Sequence, residues 1–263
     1  MNRLMLQDHL FEIAIAATIW LLSLVVPFRK MNVRPDLRWD LFAVGCAFLF
    51  ALAIDEALAI PADWLYDGLR TWRELVDQLP AWILLLFYLV VGDLGLYWAH
   101  RLLHTRALWP THAFHHSSEH VNVLAGLRGS PIHILVLFLP LVVAYSIFPF
   151  PENGSAGIVV FAVEVANQHY IHSNLYIPMA RQIEKLFVTP RMHFVHHSAR
   201  KNCSNSNYGF VFSVWDRLFG TFTDPESVAP DDRLGLDYED SKWRMLIGLP
   251  RSQLFDRSRA TNV

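Results

Sequence analysis

Cysteine and charge are the two things this chain has least of. Two of its 263 residues are cysteine: Cys46 inside an apolar run and Cys203 inside a polar one. They make no disulfide framework, and a structural zinc site, which normally draws on cysteine, has no such ligands to use. The scarcity suits a reducing compartment. Charged residues make up 17% of the chain and the formal net charge is −2, so no basic field points to nucleic acid. Apolar residues take the place of charge, at 53% of the sequence, a balance that leans away from a soluble globule once those residues prove to be clustered.

They are clustered. A hydrocarbon core of about 30 Å takes about 20 mostly apolar residues in a helix, and residues 10–28, 41–60, 80–99 and 131–150 meet that length. Helices buried in soluble cores rarely run so far without a polar face. A fifth stretch, 154–172, is apolar only to about Ala166 and is balanced between a span and a buried core helix. No small-residue cleavage site follows Val26, and Arg29 and Lys30 come directly after, so the first run reads as a retained anchor. Basic residues in short loops set orientation. Arg29, Lys30, Arg34 and Arg38 place the first loop in the cytoplasm, and Arg70 and Arg73 among four acidic residues place the second outside. A turn is expected over residues 149–154. By this parity every histidine group falls on the cytoplasmic face, of a bacterial inner membrane or the endoplasmic reticulum. The chain divides into N-terminal spans (1–79), a core with spans and histidine motifs (80–225) and a C-terminal cytoplasmic tail (226–263), all one integrated domain.

Histidine is the outlier, with 13 residues. Ten fall into four groups: His100 with His104; His112, His115 and His116; His169 with His172; and His193, His196 and His197. Residues three or four apart share a helix face, and Pro110 and Pro190 are well placed to start a helix before each triplet. Neutral imidazole suits iron, zinc, copper and nickel. Ten rings exceed the needs of one ion; two ions with about five nitrogens each keep a sixth position open, by the octahedral preference usual for iron. His9, His120 and His133 stand apart: His9 on the opposite face, His120 in an outer or substrate-facing position, and His133 as a polar group at a helix end.

The set His100-Arg101-Leu102-Leu103-His104, both triplets, and Gln168-His169-Tyr170-Ile171-His172-Ser173-Asn174 resembles the fatty acid hydroxylase and sterol desaturase superfamily of membrane di-iron enzymes. The likeness continues through Asn207-Tyr208-Gly209 and Trp215-Asp216-Arg217-Leu218-Phe219-Gly220-Thr221, covering about residues 93–221. It implies that the ten grouped histidines ligate two iron ions, with O₂ as co-substrate. It implies an all-α fold of membrane helical hairpins beneath a cytoplasmic helical cap, and an apolar substrate such as a sterol or fatty acyl lipid. The ends are too short for a fused haem domain, so the expected electron source is a separate ferredoxin or haem cytochrome with its reductase. Hydroxylation and desaturation of an unactivated C–H are both open.

Two divalent ions among neutral rings carry about +4 of charge, which outer carboxylates offset in part. Asp93, Glu164 and Asp216 are the candidates. Asp93 lies about 10 Å along the helix from His100, too far to share its metal, yet within reach of another ligand ring. A carboxylate within a span costs about 2.5–3.5 kcal/mol on insertion scales, so Asp93 and Glu164 should have partners, and pairing between helices is their plainer role. The motifs around Gly209 and Gly220 should brace the cap, and residues 242–247 could lie at the membrane surface. Two other classes fit the same cage: a zinc-dependent membrane hydrolase or isomerase, and a membrane metal-binding or transport protein.

Overall fold

A computed structural model describes residues 3–30, 34–149, 155–229 and 232–251, with side chains left out at a few further positions, His9 among them. The expected turn at 149–154 and the end of the C-terminal tail therefore lie largely outside the described residues. Among those described the fold is all helical, with three isolated β-bridges and no strand.

Helix α1 (Arg3–Val25) covers the first apolar run. Helix α2 (Arg34–Gly68) extends well past the expected 41–60 and carries Pro61 inside it. After the short α3 (Arg70–Val76), Pro80 opens α4 (Ala81–Leu103), the third apolar run. Two of these helices, α2 from Asp36 and α4, are long and apolar enough to cross a membrane. Their exposed side chains are apolar, Leu49 and Ile60 on α2 and Trp82 and Leu86 on α4, the surface that lipid rather than water would cover. The fourth run is shorter than expected. Helix α6 (Pro131–Ile147) has 17 residues, about 25 Å at the helical rise. Ser130 caps it by accepting a hydrogen bond from the His133 amide, and Pro131 fills the first turn.

The fifth run is not one α-helix. It divides into α7 (Ser155–Phe161), a π turn (Ala162–Ala166) and α8 (Asn167–Ile171). A π turn inserts an i→i+5 step and changes the face on which the next side chains emerge.

α4 and α6 pack closely because Gly95 has no side chain: a Cβ there would lie 2.6 Å from Pro140 Cβ. The remaining helices are short. They are α5 (Trp109–His116), α9 (Ala180–Ile183), α10 (Pro190–His196), α11 (Lys201–Ser204), α12 (Val214–Leu218) and α13 (Lys242–Leu246). Both histidine triplets are oriented from behind by a phenylalanine. Phe114 on α5 packs in a cluster with Ala43, Met245 and Leu246, and Phe194 on α10 packs with Val121, Leu234 and Phe28. With the aromatic ring fixed in an apolar cluster, the imidazoles leave by the other side. Residues 242–247 serve as this backing: Met245 and Leu246 are buried, while Trp243 stays exposed against Trp39 and Phe42 of α2.

A buried ion network ties α2 to this region. Arg128, fully buried, donates from Nε to Asp40 Oδ1 at 2.7 Å and pairs through Nη2 with Asp36 Oδ1 at 3.1 Å. Lys242 Nζ reaches the same Asp36 oxygen at 3.1 Å, so two cations face two carboxylates. Removing one partner of such a pair strands a buried charge, at a cost of about 3–5 kcal/mol. Arg128→Met is accordingly expected to lower the melting temperature of detergent-solubilised protein sharply, and adding Asp40→Leu should restore part of the loss. An unchanged melting temperature in the single variant would show that the network does not hold the fold.

Candidate metal centre

The four histidine groups of the sequence resolve in space into two. His100, His104, His112, His116 and His196 present ring nitrogens within 4.8 Å of one another, and so do His115, His172, His193 and His197. Each triplet is shared between the two. Helix α5 gives His112 and His116 to the five-ring group and His115 to the four-ring group. Helix α10 gives His196 to the first, and His193, with His197 just beyond its end, to the second. Sequence spacing placed the three rings of a triplet on one face; the structure fans them so that neighbours serve different centres. His116 and His197 stack across the gap at 4.5 Å, as do His112 and His115 at 5.0 Å.

The hydrogen bonds behind the rings fix which nitrogen is bare. His100 Nδ1 lies 2.9 Å from the Tyr208 carbonyl, His196 Nδ1 2.8 Å from that of Ser206, His115 Nδ1 3.1 Å from that of Arg128, and His172 Nδ1 2.8 Å from that of Gln168. A carbonyl only accepts, so in each neutral ring the proton sits on Nδ1 and Nε2 carries a lone pair. Those Nε2 atoms point inward. His100 Nε2 and His196 Nε2 are buried with no hydrogen-bond partner. His115 Nε2 and His172 Nε2 face each other at 3.2 Å with no proton between them. Two lone pairs so placed repel unless a cation lies among them. Three further Nε2 pairs lie 3.2 Å (His112–His116), 2.9 Å (His172–His193) and 3.1 Å (His193–His197) apart. A metal about 2.1 Å from each imidazole nitrogen sets adjacent ligands of an octahedron about 3.0 Å apart. The residues fit a pair of metal ions.

Burial, reinforced by the neighbouring rings, pushes protonation of His112, His115, His116, His193, His196 and His197 well below the ordinary 6.5, leaving the neutral form that a metal requires.

His169, the tenth expected ligand, is not brought into either group. It is buried with both ring nitrogens outside any hydrogen bond, and its Nε2 lies 3.5 Å from Glu12 Oε1. The π turn before α8 alters the register that a continuous helix would have given this ring. His133, read from sequence as a helix-end polar group, lies behind the centre instead: its Nδ1 is 2.8 Å from His112 Nδ1, and the side chain is buried. Its position at the start of α6, three residues after a capping serine, gave no hint of a contact made 21 residues away in sequence. His120 stands away from both groups, 3.3 Å from Asp36.

The three carboxylates do not touch the histidine rings. Asp93 accepts from the amides of Val211 and Phe212, both at 2.9 Å, and from Trp215 Nε1 at 2.8 Å. Asp216 accepts from the amides of Tyr208 and Gly209 at 2.8 and 2.9 Å and from the Thr221 hydroxyl at 2.7 Å. It thereby holds the peptide whose carbonyl orients His100, one step out from the ring. Glu164 accepts from the Tyr88 hydroxyl, between helices. Phe219 stacks on Tyr97 at 5.3 Å, and Gly220 takes φ +70, a left-handed turn that glycine accommodates. Gly126 matters more directly, since a Cβ there would fall 2.6 Å from His172 Cγ. Between α4 and α6 opens a cavity of about 270 Å³ lined by apolar residues, Leu89, Leu96, Leu137 and Leu141 among them, and reaching Gln168, His169 and Phe210.

Two outcomes are expected from this geometry. His133→Phe keeps an aromatic ring but removes the partner of His112 Nδ1, and outer-shell losses of this kind weaken metal binding by about 10–100-fold; chelator competition would measure it, and unchanged affinity would mean His133 only fills space. For metal-free protein, the unfolded chain takes up protons on histidine near 6.5 while the folded chain does so only far lower, so stability must fall as pH drops through 6.5. Melting curves should be level above about pH 7.5 and decline steeply below 6.5. A melting temperature that holds or rises on acidification would contradict buried neutral rings.

The model of the fatty acid hydroxylase family matches residues 85–221, a stretch that contains every histidine of both groups. The chain is 36% identical to the alkylglycerol monooxygenase of Danio rerio over 155 residues, 56% of this chain and 32% of that protein. It is 33% identical to an ornithine lipid hydroxylase of Rhizobium tropici over 195 residues, 72% of this chain and 54% of the relative. A Delta(7)-sterol 5(6)-desaturase of Schizosaccharomyces pombe is 26% identical over 65% of this chain and 55% of its own length. The matched part thus spans about a third of the alkylglycerol monooxygenase and about half of the other two. No solved structure matches. With its family model covering residues 85–221, more than half of the sequence, the chain belongs to the fatty acid hydroxylase family.

Proposed function

We propose that this chain is an O₂-dependent membrane oxidoreductase that hydroxylates or desaturates a lipid-like substrate with two iron ions held by its histidines. The observation that carries the reading is the set of bare Nε2 atoms fixed by backbone carbonyls and turned toward two common centres. Bound there, an iron pair supplies the oxidising power needed to attack an unactivated C–H bond.

The chain's own residues prepare for that chemistry in three ways. The carbonyls of Tyr208, Ser206, Arg128 and Gln168 hold each Nδ1 proton, so the rings neither rotate nor change tautomer when metal arrives. Neutral rings add no charge, which keeps the centres strongly electrophilic. The apolar walls of the cavity would hold a hydrocarbon chain beside His169 and exclude water. The four-ring group has one ring fewer than its neighbour. We assign the vacant side to the cavity, and His169 to the wall beside it as a ligand that joins only when metal is bound. The names of the relatives, which act on alkylglycerols, an ornithine lipid and sterols, support a lipid substrate. Reducing equivalents would come from a separate ferredoxin or haem cytochrome.

We further assign the chain a multi-pass topology of four to five spans with the metal centre on the cytoplasmic side. The basic loop of Arg29, Lys30 and Arg38 supports this orientation, and so does the continuity of the histidine-bearing helices with the His100 end of α4.

His115→Ala and His196→Ala each remove a ligand from one centre and are expected to abolish turnover and lower iron content. Mass spectrometry of lipids from cells with and without the gene should reveal a product heavier by one oxygen or lighter by two hydrogens. Zinc as the sole metal, with turnover under nitrogen, would overturn the proposal, as would full activity in both alanine variants.

A further inference from the structure

Part of the chain that follows α9 lies alongside α4 and not past its end. Asp93 precedes Leu103, the last residue of α4, by about 15 Å at the helical rise. Its carboxylate accepts from the Val211 and Phe212 amides and from the Trp215 ring, so residues 211–215 sit against the apolar run of α4. Residues 186–188 pair with them. The Val188 amide donates to the Val211 carbonyl at 2.9 Å, and the Ser213 amide donates to the Leu186 carbonyl at 3.0 Å. Between these bonds the Phe187 and Phe212 rings meet at 5.7 Å. Beyond α12 the chain returns to α4 through Phe219, 4.9 Å from Trp98. Irregular backbone is tolerated near lipid only where its polar groups have partners. Asp93 and the paired segments supply them.

The outward surface of this strip is apolar and cationic. Leu186 and Leu218 are 61% and 65% exposed, with Phe187 and Val214 exposed beside them, and Trp98 and Leu102 continue the same character on α4. Residues 175–191 hold one acid, Glu184, and residues 211–222 hold one, Asp216. Both are buried, and Arg191 engages Glu184 at 2.7 Å. The exposed charges are Arg181, Lys185 and Arg217, all positive. Exposed leucines gain nothing from water, and an acyl interior does not hold several cations. The boundary between the two suits both: leucine and phenylalanine reach acyl chains while lysine and arginine reach phosphates. An acidic protein partner would match the cations but leave unexplained an apolar face that runs on from α4.

We propose that residues 181–188 and 214–218 lie in the headgroup boundary of the leaflet at the His100 end of α4 and bind anionic phospholipid there. Arg181, Lys185 and Arg217 face the phosphates, and Leu186 and Leu218 enter the acyl layer. The inference rests on the assignment of α4 as a membrane span. It adds a lipid contact made by the cap, independent of metal and substrate.

Depth and headgroup preference are tested on the full chain in nanodiscs holding equal amounts of phosphatidylglycerol and phosphatidylcholine. With Cys46→Ala and Cys203→Ala as background, a bimane fluorophore is attached at Leu186→Cys, at Leu218→Cys and, as a reference within the span, at Leu86→Cys. Brominated lipid should quench all three labels more than iodide in the water does. Native mass spectrometry of protein released from the same nanodiscs should show phosphatidylglycerol retained about fivefold over phosphatidylcholine, falling to about twofold or less in the Arg181→Gln, Lys185→Gln, Arg217→Gln variant. Labels at Leu186 and Leu218 in water, with Leu86 in lipid, would overturn the proposal and leave the span standing. Leu86 in water would overturn both. Equal retention of the two lipids by the native protein, or an undiminished preference in the triple variant, also sinks it. If the triple variant keeps its lipid preference but loses binding to an acidic ferredoxin, the surface belongs to a protein partner instead. Should that variant not be recovered, the labels and the native retention ratio decide.

Discussion

Everything in the functional half of this molecule depends on lone pairs held where they repel. A neutral imidazole buried in protein would ordinarily turn until each nitrogen found a partner. Here four backbone carbonyls take the Nδ1 protons and leave Nε2 bare, facing other rings at about the spacing of ligands around a shared ion. Metal binding would couple to folding through this arrangement, because a cation among the lone pairs relieves their repulsion.

The scaffold makes that geometry affordable by fixing each ring from behind. Phe114 and Phe194 seat the two triplet helices in apolar clusters. Asp216 gathers the Tyr208 and Gly209 amides and so places the carbonyl that His100 uses, and Asp93 does the same for the Val211–Phe212 strip from within α4. Arg128 has two roles at once: its carbonyl receives His115, and its guanidinium anchors α2 through Asp36 and Asp40. Asp93 and Asp216 therefore act mainly through the backbone and not on a ligand ring. That differs from the simple expectation of acids placed against metal ligands to balance charge.

Charge and polarity also separate the two sides of the centre. Behind the rings lie carbonyls, amides and a balanced ion network, all rigid and satisfied. Between α4 and α6 lies an apolar space with a few carboxylates and no lysine or arginine among its described lining residues.

The sequence alone determined the class of the protein: long apolar runs, and ten histidines at helical spacing with too little cysteine for a structural zinc site. Those features are local, set by periodicities of three and four residues and by composition, and so they are readable from a string. Tertiary structure decided which ring serves which centre. Residues adjacent in sequence, such as His115 and His116 or His196 and His197, separate only when α5 and α10 are brought face to face. It also decided that His133 belongs behind His112, that the π turn leaves His169 beside Glu12, and that Asp93 and Asp216 hold peptides instead of imidazoles. Each of these is a contact between segments remote in the chain, fixed by packing angles and hydrogen-bond partners that no local spacing encodes.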